Sequence, residues 1–376
     1  MPPASPVPEL TDGRVRLRAH RPEDAERIVE QCNDPESIRW TTVPVPYGAE
    51  QAEEWLVDIA AQWGKDDGNR LWAITDADDP EGRFMGTIDV RPKGAGIASI
   101  GFGLHPQGRG QHLMAGALRL VIQWWFDQGG VRMFWDASRG NFASWRVAWA
   151  CGFSHHGTVP QLLDHRGEAV DGWRASVGRG DDLSAPTQPW HPPVVMERDG
   201  IRLRPFRDED IEAVEEPDFP LHFEPPGAPI TREGFPGWLL RRRERESQGS
   251  STTWCVADAE TDRALGEALL MYADQEPGCA EIGYGLFSSA RGRGAATTAV
   301  RMLVDHAFTS EADGGRGLRR LSAFTVGDNV ASAQVLERNG FTEWGREPAF
   351  CERDDGSLDD GRHFVLLRDT WTDSRE

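Results

Sequence analysis

Lysine is almost missing from this chain. Lys65 and Lys93 are the only two among 41 basic residues, so arginine carries the positive charge, a bias of composition rather than of mechanism. Long apolar runs are missing too: no window approaches the roughly 18 uncharged apolar residues that a membrane span needs. The opening Met1-Pro-Pro-Ala-Ser-Pro has neither a basic start nor an apolar core, so a cytoplasmic protein with no membrane partner is expected. Cys32, Cys151, Cys255, Cys279 and Cys351 are odd in number and far apart, without C-x-x-C spacing or a nearby His cluster. Buried free thiols are expected, with no disulfide framework and no metal. An excess of basic residues is likewise absent. With 61 acidic against 41 basic residues the formal charge is −20, which argues against nucleic acid as a partner.

The 376 residues leave room for two or three domains, and 39% hydrophobic with 27% charged residues is a soluble globular balance. The charge is uneven. Residues 1–180 hold 19 basic and 24 acidic residues, net −5, leaving 22 and 37, net −15, for the remainder.

Internal similarity resolves the chain into two units. Val15-Arg-Leu-Arg-Ala-His-Arg-Pro-Glu-Asp-Ala-Glu returns as Ile201-Arg-Leu-Arg-Pro-Phe-Arg-Asp-Glu-Asp-Ile-Glu, Ile100-Gly-Phe-Gly-Leu returns as Ile282-Gly-Tyr-Gly-Leu, and residues 141–153 return as 329–341. Residues 1–12 are expected to be disordered, 13–180 and 197–376 to be domains, and the Pro-rich stretch 181–196 to be a stiff linker. Each unit reads in the same order. A short strand (14–18; 200–204) precedes a helix opened by Glu23-Asp24 or Glu209-Asp210, and a second helix lies near 51–63 or 235–246. Three strands follow (71–75, 84–90, 99–104; 253–257, 264–272, 281–287), then a Gly- and Arg-bearing loop and an amphipathic helix (115–127; 297–308). A further strand, a short helix ending at Gly-Phe and a terminal strand pair complete it. That is α+β order around a central, mostly antiparallel mixed sheet flanked by helices.

In the second unit Glu281-Ile-Gly-Tyr-Gly-Leu-Phe-Ser-Ser-Ala-Arg-Gly-Arg-Gly-Ala-Ala runs strand, turn, helix. Gly292, Gly294, Ala295 and Ala296 let backbone N–H groups at a helix N-terminus approach an anion, and Arg291 and Arg293 add charge. These residues resemble the GCN5-related N-acetyltransferase (GNAT) superfamily, whose pyrophosphate loop follows Q/R-x-x-G-x-G/A between the fourth strand and the third helix. Arg291-Gly-Arg-Gly-Ala-Ala fits every specified position. Asn329-Val-Ala-Ser-Ala-Gln-Val-Leu-Glu-Arg-Asn-Gly-Phe is similar to the N-x-x-S…G-F segment of the branch that acetylates ribosomal-protein N-termini and of its small-molecule relatives. The resemblance covers residues 14–178 and 200–370. It implies two tandem acyl-CoA N-acyltransferase domains, with acetyl-CoA as co-substrate and no metal.

In the first unit two registers stay open. Ungapped, Arg109-Gly-Gln-His-Leu-Met aligns with the loop and places His112 and Met114 at the two small positions. Shifted by two residues, Gln107-Gly-Arg-Gly-Gln-His restores Gly110 and leaves His112 last. Either reading weakens coenzyme binding there.

The resemblance implies direct attack of an amine on the thioester, and an amine largely protonated at pH 7 needs a base. Glu281 is the candidate, on the side of its strand shared with Gly283 and Gly285; a solvated strand carboxylate is the alternative, and Ser99 replaces it in the first unit. Backbone N–H groups near Leu286 and Phe287 are expected to hold the thioester oxygen. The tyrosine that many relatives use on the leaving thiolate is replaced by Leu336 and Ala148. Ser332 either contacts the coenzyme thiol or serves as part of a helix cap, and Asn329 either meets the pantetheine arm or is an N-cap. The tryptophans of the first unit read as packing, and Arg241-Arg-Arg-Glu-Arg-Glu as a solvated helix face.

The function expected is an N-acetyltransferase with a catalytic second domain. Its acceptor is a primary amine of a small molecule or of a peptide or protein N-terminus, and the acidity of that half favours a cationic one. Intramolecular pairing of the two domains is also expected. The alternative is a non-catalytic acyl-CoA-binding or regulatory protein; a third reading has both units active.

Overall fold

Val15–Arg18 and Ile201–Arg204 alternate apolar and arginine residues, and each forms a strand with its apolar side chains in a core. The computed structural model describes residues 7–216, 230–272, 276–327, 329–352 and 356–371. It divides into two units, Met1–Gln188 and Pro189–Glu376.

Unit 1 runs β1 (Leu10–Thr11), β2 (Val15–Arg18), α1 (Ala25–Asn33), α2 (Pro35–Trp40), α3 (Ala49–Gln62), β3 (Arg70–Asp76), β4 (Gly86–Gly94), β5 (Ile97–Leu104), α4 (Leu113–Asp127), β6 (Arg132–Ser138), α5 (Phe142–Ala150), β7 (Ser154–His165) and β8 (Glu168–Gly178). Unit 2 runs β9 (Met196–Arg198), β10 (Ile201–Arg204), α6 (Phe235–Ser247), β11 (Ser251–Asp258), β12 (Ala264–Tyr272), β13 (Cys279–Leu286), α7 (Ala295–Phe308), β14 (Arg320–Val326), α8 (Val330–Arg338), β15 (Thr342–Glu352) and β16 (Leu358–Leu367). The sheet orders are β1-β2-β3-β4-β5-β6-β8-β7 and, in reverse, β15-β16-β14-β13-β12-β11-β10-β9. Every neighbouring pair is antiparallel except β5 with β6 and β13 with β14. The fold is α+β, as expected.

The last six residues of the expected disordered N-terminus, 7–12, are ordered. Leu10 pairs with Leu17, and Asp12 Oδ1 accepts from the backbone N–H groups of Arg14 and Val15 to close the hairpin turn. Trp72 Nε1 donates to Pro8 O at 2.9 Å. Residues 1–6 lie outside the described residues. The Pro-rich stretch 181–196 is not a free spacer either. Leu183 O and Gln188 O accept from Arg119 and Trp149 of unit 1, whereas His191 O and Val194 O accept from Thr252 and Trp254 of unit 2.

The expected helix at Glu209-Asp210 is, over residues 208–213, only a 3-10 turn. Those acids serve another purpose. Asp210 forks onto the buried Arg204 guanidinium at 2.7 and 2.8 Å, and Asp24 onto Arg18 at the same distances. Each pair ties the second strand of its unit, β2 or β10, to the following turn, which explains why Arg-Leu-Arg…Glu-Asp recurs. Removing one partner of a buried pair strands a charge. Asp210→Ala is expected to cost about 3–5 kcal/mol of unfolding free energy by denaturant titration, and Arg204→Met with Asp210→Leu to restore most of it.

The tryptophans of unit 1 pack. Trp72 lies edge-on to Trp63 and Trp124, each at 5.0 Å, and Trp145 is buried against Trp135. The expected solvated arginine face of α6 is corrected in part, because Arg242 and Glu244 are buried and Arg242 reaches Glu267 at 3.1 Å.

Candidate functional site

A gap opens in the sheet of unit 2 beside its one parallel pair. β13 and β14 pair at Cys279–Arg320, Ala280–Leu321 and Glu281–Ser322 and then part, while β13 continues to Leu286. Ala280 and Ile282 face the core that holds α7. Alternation therefore places Glu281, Gly283 and Gly285 on the opposite face, with Glu281 in the last paired position at the mouth of the gap. Glu281 is half-buried. Burial pushes its carboxyl above the usual carboxylate range, and the nearby His363 partly offsets this. In unit 1 Ser99 holds the matching position, and pairing runs one step further, to Ile100–Trp135.

At the far end of β13 the ladder to β12 decides which backbone groups are available. Phe287 N–H donates to Leu265 O at 2.8 Å. It is therefore engaged, and the expectation that it holds a thioester oxygen is corrected. An antiparallel ladder turns successive residues to opposite sides, so the N–H of Leu286 is directed into the gap beside β14. Leu286 O accepts from Arg291 Nε at 3.1 Å, tying the loop back to the strand.

The loop then rises through Gly292 (φ +75°) to Gly294, the N-cap of α7 at φ +83°, with no side chain capping the first turn. Space around Gly294 is open, since a Cβ there would meet nothing within 4 Å. Arg293 is exposed, Ala295 is buried and Ala296 half-buried. The helix thus starts with exposed glycine, uncapped N–H groups and two arginines on the approach, a suitable place for a phosphate.

Unit 1 follows the same backbone path, which settles its register. Gly110 (φ +74°) matches Gly292, and His112, the N-cap of α4 at φ +59°, matches Gly294. A histidine thus occupies a left-handed position that costs a residue with a Cβ roughly 1–2 kcal/mol. Met114 is buried, so of the two bulky residues only His112 stands at the loop's surface. Arg109, the counterpart of Arg291, is bound to Asp34 at 2.5 Å. That guanidinium holds the Asp34 carboxyl below its usual range.

On the other side of the gap, Asn329 Oδ1 accepts from Ser332 N–H at 3.1 Å and caps α8. The Ser332 hydroxyl lies 2.9 Å from Tyr284 Oη, which also donates to Ser332 O at 3.0 Å. Burial pushes the Tyr284 phenol up to about 12. Sequence reasoning missed this residue because it sought a tyrosine on the helix, at Leu336, which is fully buried in the core. The available signal was Tyr284 itself, where unit 1 has Phe102. In unit 1 the matching Ser144 Oγ accepts from Trp135 Nε1 at 3.0 Å instead.

The structure thus brings Glu281, Leu286, Tyr284, Asn329 and Ser332 to the strands and helix around one gap, with the 291–296 loop at its end. Among the described residues no group of three or more His, Cys, Asp or Glu side chains could hold a metal ion, and no helix is long and apolar enough to cross a membrane.

Comparison with known proteins gives the same partition. The acetyltransferase (GNAT) domain family matches residues 14–154 and again 201–342. The uncharacterized N-acetyltransferase p20 of Bacillus licheniformis is 33% identical over 121 residues, 32% of this chain and 65% of that relative's length. Among solved structures, ribosomal-protein-S5-alanine acetyltransferase from Vibrio fischeri is 19% identical with a TM-score of 0.41, covering 46% of this chain and 98% of its own. RimJ of Mycobacterium smegmatis, solved with CoA-disulfide, is 18% identical with a TM-score of 0.40, covering 47% and 88%.

Proposed function

The chain belongs to the GNAT acetyltransferase family, matched once in each half, and from that premise we propose that unit 2 moves an acetyl group from acetyl-CoA to a primary amine by direct attack. Unit 1 does not hold the coenzyme. The observation that carries this reading is one left-handed position with two occupants: Gly294 leaves the first turn of α7 open to phosphate, and His112 puts a side chain at the same point before α4. Calorimetric titration with acetyl-CoA is expected to give one equivalent per chain. Two equivalents would assign a coenzyme to each unit, and none would end the reading.

Each residue then has a task. Glu281 takes a proton from the bound ammonium, so that the neutral amine attacks, and its raised carboxyl pKa brings it closer to that of the amine. As the C–N bond forms and the C–S bond breaks, Leu286 N–H donates to the oxygen that gains charge, a contribution of about 3 kcal/mol. Ser332 donates to the departing sulfur. Asn329 fixes the start of α8, and with it the Ser332 backbone. Arg291, Gly292, Arg293, Gly294, Ala295 and Ala296 hold the pyrophosphate.

Tyr284 is a positioning residue that acts through Ser332. When its single proton is given to Oγ, 2.9 Å away, in place of Ser332 O, the serine keeps its own proton for the sulfur. The tyrosine missing from the helix is what favours the non-catalytic alternative, and a phenol beside Ser332 supports the catalytic reading instead. Tyr284→Phe is expected to lower kcat about tenfold with the KM for acetyl-CoA unchanged, the size of one lost hydrogen bond. The defect should shrink with an aryl thioester, whose more acidic thiol needs less help in leaving. Equal defects with both donors would exclude the role.

A further inference from the structure

Trp344 is the only aromatic among the exposed large hydrophobic residues of the described chain, with 67% of its surface open. It sits on the edge strand β15 at the irregularity between Glu343 and Gly345, and a bulge of this kind re-aims a side chain. Its ring lies 5.7 Å from that of His363, His363 lies 5.7 Å edge-on from Phe350, and Phe350 lies 5.1 Å from Phe324. Gly361 makes room for this arrangement, because a Cβ there would come within 2.8 Å of the Phe350 ring.

The strip belongs to the face of Glu281. Glu281 is level with Ser322, Ser322 with Val365 and Phe324 with His363, so these side chains emerge on one side of the sheet. Three strand spacings, roughly 14 Å across the sheet, and about two residues along β15 separate the backbones of Trp344 and Glu281, a span an arylalkylamine bridges once both side chains reach inward.

Charge points the same way. The acids of unit 2 near this region are largely spent on arginines: Glu343 on Arg346 and Arg362, Glu267 on Arg242. Glu347 meets His363 at 3.1 Å. These three carboxylates are thus already paired rather than open to a polycation. In unit 1 the same face is built differently. Asp136 and Arg174, paired at 2.7 Å, replace Phe324 and His363, and with Arg91 and Lys93 they line a charged cavity of about 480 Å³.

We infer that the acceptor of unit 2 is a primary amine carried on an aromatic or flat apolar body, with its ring laid on Trp344 and the His363–Phe350–Phe324 strip and its amino group at Glu281. This rests on the transferase reading above. Aromatic contacts of this kind are worth up to about tenfold in affinity.

The test is thiol release from acetyl-CoA by the full chain with tyramine, tryptamine, spermidine and an alanine-initiated tripeptide. The arylalkylamines are expected to exceed the other two by up to about tenfold in kcat/KM. Trp344→Ala should raise the KM of tyramine and tryptamine roughly tenfold, with the KM of acetyl-CoA unchanged, and Trp344→Phe should recover most of the loss. Preference for spermidine or the tripeptide would overturn the inference, as would a Trp344→Ala effect that is absent or equal for all acceptors. If nothing in the panel reacts, the transferase reading is judged by the acetyl-CoA titration alone. Calorimetric titration of tyramine then decides this inference: binding that Trp344→Ala weakens supports it, and no binding by the natural chain overturns it.

Discussion

Gly294→His is expected to abolish measurable acetyl-CoA binding and to lower kcat/KM at least a hundredfold while the chain stays folded. Folding is safe because unit 1 already carries histidine at this left-handed N-cap, His112 at φ +59°, ahead of a helix of full length. The loss is large because phosphate oxygens at a helix start are held by several charge-assisted hydrogen bonds. Removing two of them at about 1.5–3 kcal/mol each is a factor of a hundred or more. Titration calorimetry and steady-state kinetics check it, with circular dichroism as the control. The reverse change, His112→Gly, is expected to open a second, weaker coenzyme site, weaker because Arg109 remains bound to Asp34. Unchanged binding by Gly294→His would remove the basis for assigning the coenzyme to unit 2.

Glu281→Gln is expected to lower kcat by a factor of 10² to 10⁴, the usual worth of a general base, with acetyl-CoA affinity unchanged. The pH profile separates a base from a merely structural carboxylate. Burial raises the Glu281 carboxyl, so its basic form is populated only at a pH above the ordinary range near 4.3. Activity should therefore rise with pH through that raised value, and this acid limb should vanish in the glutamine variant. His363 acts in the opposite sense, lowering the same carboxyl. His363→Ala should move the limb to higher pH. A limb that stays in place in Glu281→Gln belongs to another group.

Local features were legible in the sequence. The repeat gave two units of one strand order, and the loop Arg291–Ala296 could be placed at a strand-to-helix turn, because glycine spacing and amphipathic period are properties of neighbouring residues. What escaped depends on residues distant in sequence. Tyr284 and Ser332 lie 48 positions apart and meet only because β13 and α8 flank one gap. The aromatic strip draws on three strands and on a glycine, Gly361, whose importance appears only when Phe350 covers it. Phe287 was misjudged because which N–H groups a strand spends on its neighbour follows from ladder phase, set here by Leu265. The 3-10 turn at 208–213 escaped because the same Glu-Asp opening precedes a full helix, Ala25–Asn33, in unit 1, whereas in unit 2 the backbone is already extended at Val214.

The shared shape of the two loops has a thermodynamic meaning. A turn that rises through Gly110 to a left-handed His112 keeps its form in a unit argued to hold no phosphate, so the form is imposed by the sheet and helix it joins rather than by a ligand. The matching turn at Gly292 and Gly294 is then preorganised. Coenzyme arriving there meets N–H groups already aimed, and little of its binding free energy is lost to ordering the loop.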